Sequence, residues 1–152
     1  MMLRVLFLFI VLASAPSAPG WAQATPQSPL GVWTTVDDKS GAERGLVRIF
    51  ESNGQIYGRI ERIYDKAAEG KNCEKCSDDR RNKPILGLEV IRGLHADGDG
   101  GWSGGEILDP ETGDTYRVSM RLADGGRKLI VRGSVLGGLI GRSQTWLRKA
   151  AS

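Results

Sequence analysis

Short apolar segments separated by glycine-containing turns constrain the fold of this chain more than any other feature of its sequence. Of the 152 residues, 21 are glycine. Typical turns are Asn53-Gly54, Asp124-Gly125-Gly126 and Gly137-Gly138. Glycine adopts the positive φ angles that tight hairpins require. The pattern therefore predicts an all-β chain of short strands.

Eight segments have the length and composition of strands. They are residues 31–36, 45–51, 55–63, 85–94, 101–108, 114–122, 128–135 and 139–148. Apolar residues alternate with other residues most clearly from Tyr116 to Leu122, and also over residues 56–60 and 86–90. This period of two places one face of a strand in a core. Eight consecutive antiparallel strands predict an up-and-down barrel, with a two-sheet sandwich as the alternative.

The N-terminal residues have the organisation of a secretory signal peptide. Arg4 supplies a positive charge, residues 5–13 form an apolar stretch too short to span a bilayer, and Ala22-Gln23-Ala24 offers small residues for cleavage. We therefore predict a signal helix within residues 1–24, cleaved after Ala24. Such export indicates a periplasmic or secreted protein.

The rest of the chain predicts one domain without a membrane span. A linker at residues 25–30 precedes a single barrel domain at 31–149, and no later apolar stretch reaches membrane length. Lys and Arg total 21 against 18 Asp and Glu, a formal net charge of +3. Because the two signs are interleaved, we expect no nucleic-acid partner.

The segment at residues 64–83 has no strand period and contains both cysteines, Cys73 and Cys76. In an exported protein this pair favours a disulfide, which the chain-entropy model values at about 2 kcal/mol. A redox role remains open, because nearby basic side chains such as Lys75 would favour a thiolate. A zinc site would need two further ligands, and the only histidine is His95, so no metal is predicted.

No complete catalytic or cofactor-binding motif is present. His95 lies beside a glycine-rich turn without a nucleophile-elbow serine, and residues 100–105 do not connect a buried parallel strand to a helix as a phosphate-binding loop does. We therefore predict no catalytic residues, no cofactor and no enzymatic activity.

The C-terminal segment offers polar groups for a ligand. Alternation places Arg142, Gln144 and Trp146 on one face of a strand and Leu147 on the other. If Trp146 faces the barrel interior, the two polar side chains can orient a small ligand in a mostly apolar cavity. If Leu147 faces inward, they lie in water. We favour the first arrangement because Trp is the larger apolar side chain.

Gly31-Val32-Trp33 near the start of the domain, with Arg148 near its end, resembles the lipocalin pattern. That resemblance implies that Arg148 packs over Trp33, with Gly31 beside them, and closes one end of the barrel. A guanidinium over an indole face gains about 1 kcal/mol. The turn motif typical of lipocalins is absent, since Asp114-Thr115-Tyr116 has a different order.

Over nearly the whole domain, the chain also resembles DUF2147, a family of small exported bacterial proteins. The matching segments are Gly31-Val32-Trp33, residues 54–60, the Cys73/Cys76 pair, residues 85–88, Trp102-Ser103-Gly104-Gly105 with Asp109-Pro110, Arg132-Gly133, and residues 141–146. The resemblance implies a lipocalin-like barrel in a bacterial envelope without an established activity. Tyr57, within one matching segment, is a further candidate ligand-binding residue.

These observations favour a non-catalytic binding module for a small, partly apolar ligand, with the 64–83 segment at the mouth of the barrel. The alternatives are an envelope redox protein acting through Cys73 and Cys76, and a structural or protein-interaction barrel. Neither the ligand nor the oligomeric state follows from the sequence.

Overall fold

The chain forms a closed barrel of eight antiparallel strands. The computed structural model describes residues 27–150, so the predicted signal helix and its cleavage site lie outside the described residues. The strands are β1 (Gly31–Val36), β2 (Glu43–Ser52), β3 (Gln55–Ile63), β4 (Glu89–Ala96), β5 (Gly101–Leu108), β6 (Thr115–Ala123), β7 (Lys128–Val135) and β8 (Ile140–Arg148). Each strand pairs with the next, and β8 pairs with β1. The predicted up-and-down barrel is confirmed, and the sandwich is excluded.

The predicted strand boundaries agree closely with the structure, and the main difference is at β4. The prediction began this strand at residue 85, but residues 85–88 form a turn in which Gly87 has a φ of 84°. Leu88 and Val90 are buried as the alternation predicted, whereas Leu86 is 56% exposed. The prediction was wrong at Leu86 because an apolar residue of the turn continued the period of the strand.

Loops divide the barrel into two ends that differ in structure. The end that we call the closed end has the short turns after β2, β4 and β6, together with residues 28–30 and 149. Asn53 and Gly54 both have positive φ there, at 51° and 75°, as a tight two-residue hairpin requires. The opposite, open end has the loops at residues 37–42, 64–88, 109–114 and 136–139.

The half of the interior towards the closed end is filled by side chains. The buried residues there are Trp33, Ile49, Ile91, Leu94, Met120 and Leu129. Gly58 of β3 makes this packing fit, because a Cβ atom at this position would lie 3.0 Å from the Ile91 Cβ and 3.1 Å from the Ile49 Cδ1. A larger residue would displace two core side chains.

Trp33 and Arg148 close this end. The guanidinium carbon of Arg148 lies 4.2 Å from the centre of the Trp33 ring, within the range of a cation–π interaction. The same guanidinium donates to the carbonyl oxygens of Gly126 at 2.7 Å, Leu30 at 2.9 Å and Ser28 at 2.7 Å. The Arg148 guanidinium therefore connects residues 28–30 to the turn after β6.

The Trp33 indole is completely buried, and its Nε1–H donates to the carbonyl oxygen of Pro29 at 2.7 Å. Burial also lowers the pKa of Arg148. Gly31 begins β1 directly below this guanidinium, since a Cβ atom there would lie 3.2 Å from the Arg148 Nη1. These contacts fix residues 28–30, the end of the segment predicted as a linker, against the barrel.

The 64–88 loop is held by a disulfide and by a buried arginine. Cys73 and Cys76 form the predicted disulfide, which confirms that hypothesis, and the Cys73 Sγ lies 3.5 Å from the carbonyl oxygen of Pro110 in the loop after β5. Arg80, only 1% exposed, donates to Asp78, to Glu106 at 3.1 Å and to the backbone of Glu89 at 3.2 Å. The loop is therefore fixed to β4 and β5.

Candidate functional site

A cavity of about 630 Å³ occupies the half of the barrel towards the open end. Its walls are mainly apolar, and many of the apolar side chains that line it belong to residues that alternate inward along their strands. They include Val47, Ile60, Val90, Ile107, Val131 and Trp146. This volume lies within the range of about 300–1,000 Å³ typical of small-molecule sites.

Gln144 and Trp146 face this cavity together. Trp146 is 3% exposed, whereas Leu147 on the opposite face of β8 is 41% exposed. The Trp146 Nε1–H donates to the Gln144 Oε1 at 3.1 Å. An indole N–H can only donate, so it orients the amide of Gln144. The Gln144 NH₂ group has no protein partner among the described residues and is free to donate to a ligand.

Tyr116 is a second polar group of the cavity. It lies on β6 in line with Val118 and Met120, which are 3% and 2% exposed and face inward as the period of two predicted. Its hydroxyl can donate or accept a hydrogen bond, and within residues 27–150 no protein group pairs with it. The cavity thus combines an apolar wall with two polar groups, which suits a ligand of mixed character.

Ion pairs surround the mouth of the cavity. Arg142 lies at the rim with its side chain 66% exposed, and its Nε donates to Asp38 in the loop after β1. Arg44 of β2 donates to Glu111 in the loop after β5 at 2.7 Å. Exposed pairs of this kind contribute at most about 1 kcal/mol each. A ligand or a water molecule can therefore replace a partner in these ion pairs at a low cost in free energy.

Arg142 bridges a part of the barrel wall where backbone pairing is missing. The β1–β8 ladder has only two residue pairs, Trp33 with Arg148 and Thr34 with Leu147. Towards the open end, β8 pairs with β7 alone, and both Val36 and Arg142 line the cavity beside this interval. The Arg142–Asp38 pair thus connects the two sides across the rim.

The 64–88 loop contributes to the mouth of the cavity from both of its ends. Asp65 and Ala68 near its start and Ile85 near its end line the cavity, while the disulfide lies between them in the sequence. The hydrogen bond from Arg80 lowers the pKa of Asp78, and the hydrogen bond from Arg92 lowers that of Asp79. Both carboxylates are therefore ionised at neutral pH. Asp79 attaches the loop to Arg92 of β4, and Asp78 binds Arg80 within the loop.

Tyr57 does not line this cavity. Its side chain is on the outer face of β3, where its ring stacks on Phe50 with the ring centres 5.8 Å apart and its hydroxyl donates to Gln55 at 3.0 Å. Arg142, Gln144 and Trp146 come together at the central cavity, and Tyr57 does not join them. The alternation along β3 explains this position, because Ile56 and Gly58 face inward.

Several residues of the cavity were not singled out by the sequence. Tyr116, Ile107 and Gly133 line it from β6, β5 and β7. The period of two did predict that Tyr116 faces inward, but it could not show that the interior is hollow at this level. Gly133 contributes to the space, because it places no side chain in the cavity.

Neither a metal site nor a helical span is found in the described part of the chain. No group of three or more His, Cys, Asp or Glu residues within 27–150 is arranged to hold a metal ion. Over the same residues, no helix is both long and apolar enough to cross a bilayer. His95 packs its ring against Gly104 on the neighbouring strand β5.

Comparison with known proteins identifies the fold and the family. The solved structure of HP1028 from Helicobacter pylori, a protein of the lipocalin family, matches with a TM-score of 0.69 and 24% sequence identity, over 80% of this chain and 82% of that chain. At this identity the likeness concerns the fold, which is lipocalin-like. No curated protein matches the chain. The family model described as "Uncharacterized protein conserved in bacteria (DUF2147)" matches residues 31–148. The chain therefore belongs to the DUF2147 family.

Proposed function

We propose that this protein is an exported, non-enzymatic binding protein that holds a small, partly apolar ligand in the barrel. The cavity of about 630 Å³ is the observation that supports this function most directly. A barrel of eight strands can fill its interior with side chains or leave room for one small ligand. Here the closed half is filled and the open half is not.

The wall of the cavity indicates the kind of ligand. Val131, Ile107 and Trp146 provide apolar surface, while the NH₂ group of Gln144 and the hydroxyl of Tyr116 offer hydrogen bonds. The apolar part of a ligand would lie towards Trp146 and a polar part towards the mouth. The predicted periplasmic or secreted location is part of this proposal and rests on the signal-like N-terminus.

The redox alternative has less support. Thiol–disulfide exchange requires that a thiolate reach one sulfur of the disulfide, but Cys73 and Cys76 are 0% and 2% exposed. Arg80 also fixes the loop that contains them, through its hydrogen bonds to Glu89 of β4 and Glu106 of β5. These features favour a structural role for the disulfide.

A cavity-filling variant tests the proposal. A Cβ atom at Gly133 would lie 3.5 Å from the Tyr116 Cβ and 3.6 Å from the Ile107 Cγ2, which are ordinary contact distances. Gly133→Leu should therefore fold and occupy part of the cavity. We expect it to weaken binding of the neutral fluorescent probe N-phenyl-1-naphthylamine by about tenfold or more, as for loss of a well-fitting apolar contact.

Ser143→Leu is the matched control. Ser143 lies on the exposed outer face of β8, so the same added side chain stays outside the cavity. Probe binding should match that of the unmodified protein. Equal probe affinity in the Gly133→Leu and Ser143→Leu proteins, both folded by circular dichroism, would show that the cavity is not the binding site.

A further inference from the structure

The hairpin between β7 and β8 exposes an unusual number of aliphatic side chains. Val135, Leu136, Leu139 and Ile140, which we call the apolar tip, are 38%, 69%, 86% and 61% exposed. They are half of the large apolar residues exposed in the described part of the chain. Contiguous apolar surface of this kind commonly marks an interaction site.

The local backbone gives no reason for this exposure. The 3₁₀ turn at Leu136–Gly138 contains no buried residue. Leu136 has a φ of 51°, a conformation that Asn or Gly adopts more easily than leucine does. A polar residue at position 136 would suit both this backbone conformation and the solvent. The turn therefore gives no reason for a leucine here, whereas contact with a binding partner does.

The charge of this hairpin favours an anionic partner. No Asp or Glu occurs after Asp124 in the sequence. Arg132, exposed on the outer face of β7, places its Nη2 3.5 Å from the carbonyl oxygen of Gly138 and so lies folded against the apolar tip. Arg142 lies at the other side, where it is paired with Asp38. Arg132 is therefore the cation available beside the tip.

The size of the apolar tip favours a lipid surface over a protein. A stable protein interface takes about 20–30 residues from each side, and the tip supplies four large apolar side chains. A lipid interface requires no matching shape, and its attraction grows with inserted apolar area and with basic residues beside it. Aliphatic side chains with an adjacent arginine fit that requirement.

We propose that the apolar tip inserts into the surface of a membrane containing anionic phospholipid, with Arg132 in contact with lipid phosphate. Val135 and Ile140 belong both to the tip and to the lining of the cavity. Docking by the tip therefore turns the mouth of the cavity towards the membrane surface. This docking does not depend on what the cavity binds.

Flotation with lipid vesicles tests the proposal with the full protein. We expect the protein to float with vesicles that contain phosphatidylglycerol and to bind vesicles of phosphatidylcholine alone less strongly. Leu136→Asn combined with Leu139→Ser should reduce binding by about tenfold or more, because both side chains contribute inserted apolar area. Arg132→Gln should reduce the preference for phosphatidylglycerol.

Leu30→Ser is the matched control, since Leu30 is 38% exposed at the closed end and its loss should leave vesicle binding unchanged. The proposal is overturned if the unmodified protein floats with neither vesicle, or if the double variant, folded by circular dichroism, floats like the unmodified protein. A dimer in sedimentation that the double variant converts to a monomer, without vesicle binding, would assign the tip to a second copy instead. Probe binding in the cavity is measured separately, so failure of either proposal is distinguishable.

Discussion

Replacing Trp33 with alanine tests whether the closed end stabilises the barrel. The indole is 0% exposed, donates to the carbonyl oxygen of Pro29 at 2.7 Å, and lies 4.2 Å from the guanidinium carbon of Arg148. Large-to-small substitutions of this kind cost about 3–5 kcal/mol. The hydrogen bond accounts for about 1 kcal/mol of that loss and the cation–π contact for about 1 kcal/mol, with apolar burial and the new cavity supplying the remainder.

Urea unfolding followed by far-ultraviolet circular dichroism measures this loss. A lower urea midpoint with an unchanged dependence of the unfolding free energy on urea would show that the substitution reduces stability and does not alter the unfolded state. Trp33→Phe separates the contributions, because phenylalanine keeps an aromatic ring under Arg148 but leaves the Pro29 carbonyl oxygen unpaired. We expect it to cost less than the alanine variant.

The contact with Arg148 is tested by a double-mutant cycle. Arg148→Met should destabilise the Trp33→Ala protein by about 1 kcal/mol less than it destabilises the unmodified protein, because the cation–π contact is already absent. A loss below about 1 kcal/mol for Trp33→Ala itself would refute the argument. It would mean that the first strand is not anchored by this residue.

Two further predictions concern the 64–88 loop. Replacing Cys73 and Cys76 together with serine should lower the free energy of unfolding by about 2 kcal/mol and leave the barrel intact, because Arg80 still fixes the loop; thermal unfolding and near-ultraviolet circular dichroism check this. The second concerns acid: the hydrogen bond from Arg80 lowers the pKa of Asp78 in the folded state, so the folded protein binds fewer protons there than the unfolded chain. The stabilisation by this pair is then complete above the unfolded pKa of about 3.9 and is lost as the pH falls through the lower, folded value. Asp78→Asn should make stability less dependent on pH in this acidic range, and an unchanged acid dependence in thermal unfolding would contradict the assignment.

The barrel follows from the sequence because its signals are local. Asn53-Gly54 determines a tight hairpin, and the alternation from Tyr116 to Leu122 determines which face of β6 is buried. The same local reasoning was wrong at Leu86, because a turn residue happened to continue the period of the strand. Local patterns therefore predict strands well and their ends less well.

The site was harder to predict because it depends on the level of a residue along the barrel axis. Met120 and Tyr116 share one face of β6, yet Met120 belongs to the packed half and Tyr116 to the hollow half. Alternation cannot distinguish them. The disulfide was expected from the sequence, and the lipocalin resemblance implied the Arg148–Trp33 contact. Only the closed barrel shows that Cys73 lies beside Pro110 and that Arg148 also donates to Gly126.

The hollow half is itself an argument for binding. Gly133 leaves space that a larger residue could occupy without a close contact, since its nearest neighbours would lie at 3.5 Å and 3.6 Å from a Cβ atom. Glycine in a strand interior is also less stable than most alternatives. If stability were the only requirement on this barrel, leucine would be favoured over glycine at position 133, because its side chain would bury apolar surface against Tyr116 and Ile107. We therefore expect this variant to be more stable than the unmodified protein while it binds the apolar probe less well. Higher stability together with weaker probe binding would support a role for this space in binding, and a Gly133→Leu protein no more stable than the unmodified protein would contradict the argument.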